Sequence, residues 1–114
     1  MKILSKTEGM SLKDVVSLTK GNDIRKMKDA VGETLDFDQT VIYEDVDSKG
    51  NPMKVLAVKT ASGVKYATNS AVFIRNYEEI QSIFAESEED APTTFKVGTG
   101  VSKSGREFIT CDIA

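Results

Sequence analysis

The stretch Pro92–Ala114, PTTFKVGTGVSKSGREFITCDIA, decides the fold. Two alternating runs, Thr94–Val101 and Arg106–Ile113, flank the polar, glycine-closed turn Ser102-Lys103-Ser104-Gly105, which is the pattern of a β-hairpin. Side chains alternate across a strand. Phe95, Val97, Thr99 and Val101 therefore share one face, and Lys96, Gly98 and Gly100 the other. In the second run Ile109, Cys111 and Ile113 lie opposite to Arg106, Phe108 and Thr110. One side of the hairpin is a core face. The other has small residues, cations and a single aromatic. A strand face thinned by glycine lets a backbone or a flat ring approach closely.

Working back from the hairpin, the acidic segment Glu86–Asp90 and Pro92 read as a linker that ends a helix. That helix is expected over about Ala71–Ala85, capped by Asn69 or Ser70. Its apolar stripe is Ala71, one of Phe73 and Ile74, Tyr77, Ile80, Ile83 and Phe84, with Arg75, Glu78, Glu79 and Gln81 opposite. Before it lies a meander. Thr34–Val46 is a long strand with Leu35, Phe37, Val41 and Tyr43 at alternate positions, and Ile42 and Val46 on its other face point to a twist, a bend or burial on both sides. Asp47–Pro52 is a strong turn, Met53–Thr60 the next strand, Ala61-Ser62-Gly63 another turn, and Val64–Ala67 a third, short strand. Phe37, Phe73, Phe84 and Phe95 are assigned to the core.

The first thirty-one residues read as a helical arm. Ser11 and Asp14 have capping-box spacing ahead of a helix Leu12–Lys20, which stops at Gly21. Asn22-Asp23 cap a further turn or two, Ile24–Ala30, carrying Arg25, Lys26 and Lys28. Two readings of that segment stay open: a basic arm for phosphates, or a solvated helix face with Ile24 and Met27 packed inward. Lys2–Leu4 is either an edge strand or part of a loose arm. The expected architecture is mostly β with some helix: a five-stranded OB-fold-like barrel over 32–114, one helix between strands three and four, and the arm 1–31 in front.

Composition bounds the function. At 114 residues the chain fits one compact domain. Its single cysteine permits no internal disulfide, and with no histidine it has neither histidine metal sites nor histidine acid–base chemistry. No apolar run reaches the length of a membrane span and no signal peptide is recognisable, so the expected location is the cytoplasm. The net charge is -3, but Glu86, Glu88, Glu89 and Asp90 concentrate four of the negative charges; without them the balance is +1, and a local basic face is allowed. Cys111, between two isoleucines of its face, reads as a buried thiol. Asp36 and Asp38 share a strand face with nothing to complete a metal site, and GTGVSKSG lies in a hairpin, not in the strand-to-helix setting of a phosphate loop.

In order along the chain stand Asp29-x-x-Gly32, Tyr43, Lys49-Gly50, Gly63-x-x-Tyr66, Phe95-Lys96-Val97 and Ser102-Lys103-x-Gly105-x-x-Phe108. Over roughly Lys28–Ile113 this series resembles the single-stranded DNA-binding proteins of small protein-primed Bacillus phages. The arm ahead of it matches poorly. The resemblance implies protection of replication intermediates in an infected bacterial cell, with phage replication proteins as further partners; the usual catalytic constellations are absent from the sequence, so neither enzymatic activity nor a cofactor is expected. The resemblance also implies that Tyr43 and Tyr66 stack on bases, while the family's loop tyrosine is replaced by Lys49. Binding of single strands with little sequence preference needs stacking faces and cations. The candidate platforms are Tyr43, Tyr66 and Phe108. The candidate phosphate contacts are Lys49, Lys54, Lys59, Lys65, Lys96, Lys103 and Arg106. Tyr43 shares a face with core residues, and Phe108 is equally compatible with packing under the N-terminal helix. A second class stays open: a phage or mobile-element protein that inhibits a host protein by contact, for which the acidic run would suit.

Overall fold

A computed structural model describes all residues, Met1–Ala114. Strand accounts for 43% of them and helix for 25%, so the chain is mostly β: one sheet curled into a half-barrel, with two helices. The strands are β1 Lys2–Lys6, β2 Ile24–Lys26, β3 Thr34–Val46, β4 Pro52–Thr60, β5 Lys65–Thr68, β6 Thr94–Val101 and β7 Glu107–Ile113; the helices are α1 Leu12–Lys20 and α2 Ala71–Glu86. The spatial order is β2-β5-β4-β3-β6-β7, with β1 also on β3.

β3 is the spine. It pairs with β4 from Phe37 to Val46, with β6 from Thr34 to Asp36, and with β1 around Val41–Glu44, all antiparallel. β6 therefore returns beside β3 instead of pairing with β5, which is a Greek-key path. The hairpin β6–β7 pairs from Phe95↔Ile113 to Val101↔Glu107, which sets Phe95, Val97 and Thr99 opposite Ile113, Cys111 and Ile109 on one face. Its loop closes through Ser102, whose carbonyl accepts from Gly105 N–H at 2.9 Å, with Gly105 at φ 85°.

Seven strands replace the expected five, and both additions come from the first thirty-one residues. Lys2–Lys6 is an edge strand on β3. Ile24–Ala30, expected as a helical turn or two, is helical only in its second half. Its first three residues form β2, parallel to the free edge of β5, and Met27–Ala30 then makes one 3-10 turn. Three residues hold no period that separates strand from helix; the unpaired backbone groups of β5 decide the matter.

Two apolar clusters lie on opposite sides of the sheet. The larger is inside the curl, where Leu35, Phe37, Ile42, Leu56, Val58, Phe95, Val97 and Cys111 meet Phe73 and Ile74 of α2. Phe37, Tyr77 and Phe95 form an aromatic trio with ring centroids 4.8–5.9 Å apart. The smaller cluster, on the outer face, packs Val15 and Leu18 of α1 on Val41, Tyr43, Val55 and Ala57. An irregularity between Phe37 and Gln39 in the β3–β4 pairing divides the two. One extra residue there reverses the parity of β3. Leu35 and Phe37 therefore face the same core as Ile42, while Val41 and Tyr43 turn outward. The apparent single stripe Leu35-Phe37-Val41-Tyr43 is in fact two half-stripes, and the strand is buried on both sides.

Both helices start as the sequence predicts. Ser11 and Asp14 form a reciprocal capping box on α1, and Ser70 Oγ accepts from Phe73 N–H on α2 at 3.3 Å. Each such cap contributes about 1 kcal/mol. The apolar stripe of α2 runs out early: Phe84 is half-buried and Ile83 is 61% exposed. Asn76 of α2 covers the outer edge of β7, its Oδ1 accepting from Cys111 N–H at 3.3 Å. No helix is long and apolar enough to cross a membrane.

Candidate nucleic-acid interface

An open groove of about 860 Å³ is lined by residues from several strands. Lys26, Met27, Lys28 and Val31 line it from β2 and the turn that follows. Thr99, Glu107, Phe108 and Ile109 line it from the loop end of the β6–β7 hairpin. Tyr43, Met53, Val55 and Ala67 line it from β3, β4 and β5, and Thr68-Asn69-Ser70 add polar groups where β5 leads into α2. β2 is what brings the two lysines there: its register sets Lys26 beside Ala67 of β5.

The sequence-derived platforms part company. Phe108 is half-buried on the groove wall. Tyr43 also reaches the groove, but it is only 8% exposed, with its ring in the outer cluster. Burial first, and then the nearby Asp45 carboxylate, push its phenol above the ordinary tyrosine range. Tyr66 is a correction. It is 5% exposed and belongs to the main core. β5 alternates, and Lys65 and Ala67 point toward the α1 side, which turns Tyr66 inward. The ring offers no face to a base.

The lysines divide in the same way. Lys65 is 13% exposed, and its Nζ donates to Ser17 Oγ at 2.8 Å and to Asp23 at 3.2 Å, tying the β5 strand to α1 and the chain after it. Lys65 holds the Asp23 carboxyl below its ordinary range. Lys54 points to the other side of the sheet and pairs with Glu78 of α2 at 2.6 Å. Lys59 is half-buried beside α1, where its charge helps the Ser11 N–H and hydroxyl hold Asp14 low. These three cations already serve the fold, and none lines the groove. Lys96 is exposed on the outer hairpin face, opposite Asp112 in the β6–β7 register. Lys49 is exposed on the β3–β4 turn, which Asp47 organises by accepting from the N–H groups of Lys49 and Asn51 at 2.8 and 2.9 Å. Lys103 and Arg106 are exposed at the hairpin loop next to Glu107 and Phe108 of the groove wall.

Lys26, Lys28 and the Thr68-Asn69-Ser70 corner are among the groove residues absent from the sequence-derived set. The basic reading of Arg25, Lys26 and Lys28 was the available signal for the first two; nothing local marks the corner. Cys111 is buried in the main core, and desolvation pushes its thiol up to about 12, so it is no nucleophile. No cluster of acidic, cysteine or histidine side chains is arranged to hold a metal ion. No family model, curated protein sequence or solved structure matches this chain.

Proposed function

We propose that this chain is a non-catalytic binder of single-stranded DNA that takes the strand through the open groove with little sequence preference. The groove itself carries this reading: its lining brings together two lysines, Lys26 and Lys28, and an aromatic ring, Phe108. Phosphates on the lysine side and bases on the aromatic side is the division of labour that sequence-tolerant binding uses. Lys103 and Arg106 extend the cationic path at the hairpin loop. The Greek-key path of β3 to β7 supports an OB-like barrel whose closure is interrupted and whose edge is extended by β2. The resemblance to the phage proteins supports a role in covering replication intermediates in the host cytoplasm.

Of the residues suggested by sequence, Phe108, Lys103 and Arg106 stay in the proposed site, with Tyr43 contributing at its rim. Lys26 and Lys28 join them. Replacing Lys26 and Lys28 together by glutamine is expected to lower the slope of log affinity against log salt by about 1.4, at about 0.7 per phosphate contact on a single strand. Lys54→Gln serves as the control, because that lysine is paired with Glu78 away from the groove. Equal effects of the two changes would mean that overall charge, not the groove, governs binding.

A further inference from the structure

We infer that Gly100 is a positioning residue: by lacking a side chain it lays the Phe108 ring flat across β6, in the orientation that presents the ring to a base. This role rests on the single-strand reading and adds to it the device that orients the platform.

Gly100 and Phe108 are direct partners in the β6–β7 register, so both project from the same face of the hairpin. A Cβ placed on Gly100 would lie 2.6 Å from both Cε2 and Cζ of Phe108 and 3.4 Å from Cε1. The ring thus occupies the space in which any other residue would carry its side chain. The next residue of that face on β6, Gly98, is just as closely covered, by Thr110 Oγ1 at 2.7 Å from a would-be Cβ. No β6 side chain therefore stands beside the ring between Lys96 and the loop. One face of the ring lies against the strand. The remainder is uncovered at the groove, where Phe108 is half-buried.

Glycine within a strand weakens it and commonly marks a close approach. Here the approaching group is an aromatic from the partner strand. A ring laid over a strand glycine is also a known way of shielding the backbone, so two uses of the same geometry must be separated. Shielding needs only apolar cover. Stacking needs a π-face held at a fixed angle.

The test is anisotropy titration of a labelled oligo-dT at low salt, with the native chain, Gly100→Ala, Phe108→Ala, Phe108→Leu, the Gly100→Ala/Phe108→Ala double variant, and Phe108→Trp with and without Gly100→Ala. Phe108→Ala is expected to weaken binding about five- to 160-fold, the range of one lost stacked base. Gly100→Ala is expected to fall in the same range with its melting temperature nearly unchanged, because the obstructed atoms are the tip of a rotatable side chain. The double variant should bind no more weakly than Phe108→Ala alone. Phe108→Leu keeps cover on Gly100 and should still lose affinity. The lone tryptophan of Phe108→Trp should be quenched by the oligonucleotide, and Gly100→Ala should abolish that quenching. Native-like affinity for either Gly100→Ala or Phe108→Leu, in a chain that binds, would overturn the positioning role and leave the groove reading standing. Failure of the native chain to bind would overturn both.

Discussion

Tyr66→Ala separates a core ring from a surface ring. Sequence reasoning alone predicts a loss of binding with the fold intact. The structure reverses the expectation: Tyr66 is 5% exposed and packed in a cluster of 14 buried residues. Truncating a buried aromatic to alanine removes its transfer free energy and leaves a cavity, together about 3–5 kcal/mol. Domains of this kind have only about 5–15 kcal/mol in total. At an unfolding entropy of about 2.1 cal/mol/K per residue, the loss lowers the melting temperature by roughly 12–20 °C. Tyr66→Phe keeps the ring and is expected to cost less than about 1.5 kcal/mol. Urea unfolding followed by far-ultraviolet circular dichroism measures both, with the shift read in the midpoint and the slope unchanged. A Tyr66→Ala chain within about 0.5 kcal/mol of the native one, the usual range for surface changes, would refute the placement of this ring and with it the inward face of β5.

Asn76→Leu removes the acceptor for Cys111 N–H and leaves an edge donor of β7 without a partner; a loss of about 1–3 kcal/mol is expected in urea unfolding, and no loss would mean that α2 does not guard that edge. Asp14, Asp23, Asp45 and Asp47 all titrate below their ordinary value of 3.8 in the folded chain, chiefly through hydrogen bonds accepted from Ser11, Lys65, Val46, and from Asn51 and Lys49, respectively. A lowered folded value gives stability that is present above 3.8 and lost as pH falls through the folded values. Stability should therefore be level with respect to these groups near neutrality and decline below about pH 4. The deficit of Asp14→Asn should be seen at neutral pH and vanish in acid; a deficit that grew in acid would contradict the assignment. Cys111, with its thiol pushed up to about 12, should not react with a thiol reagent at pH near 8 until urea unfolds the chain; prompt labelling of the native protein would show an open path to the core.

What was legible in the sequence is what local chemistry determines. The hairpin turn at Ser102–Gly105, the Asp47–Pro52 turn, the Ser11/Asp14 box and the start of α2 each rest on a few adjacent residues. Their elements were placed to within a residue or two at most boundaries. What was not legible depends on partners distant in sequence. The irregularity after Phe37 changes which residues of β3 face inward, and only the pairing with β4 shows it. Arg25 and Lys26 are strand because the edge of β5 is free for them. On the four-residue β5, KYAT, no apolar alternation says which way Tyr66 turns; Lys65, bound to Ser17 and Asp23, fixes the parity. The same long-range pairings explain the site. Phe108, Lys103 and Arg106 lie together at one end of a hairpin, and a hairpin is local. For Lys26 and Lys28 the sequence leaves two readings open, a basic arm or a solvated helix face, because their position depends on the parallel β2–β5 contact.

The measurement closest to the central claim is the affinity of the native chain for a labelled oligo-dT between about 50 and 200 mM salt. Contacts from Lys26, Lys28, Lys103 and Arg106 correspond to a log–log slope of about -2.8, at about 0.7 per contact, or about a fifty-fold loss over that fourfold change in salt. That slope, reduced by about 1.4 when Lys26 and Lys28 are replaced, is the outcome expected of a single strand lying in the groove. Binding indifferent to salt, or no binding at the lower salt, would contradict it.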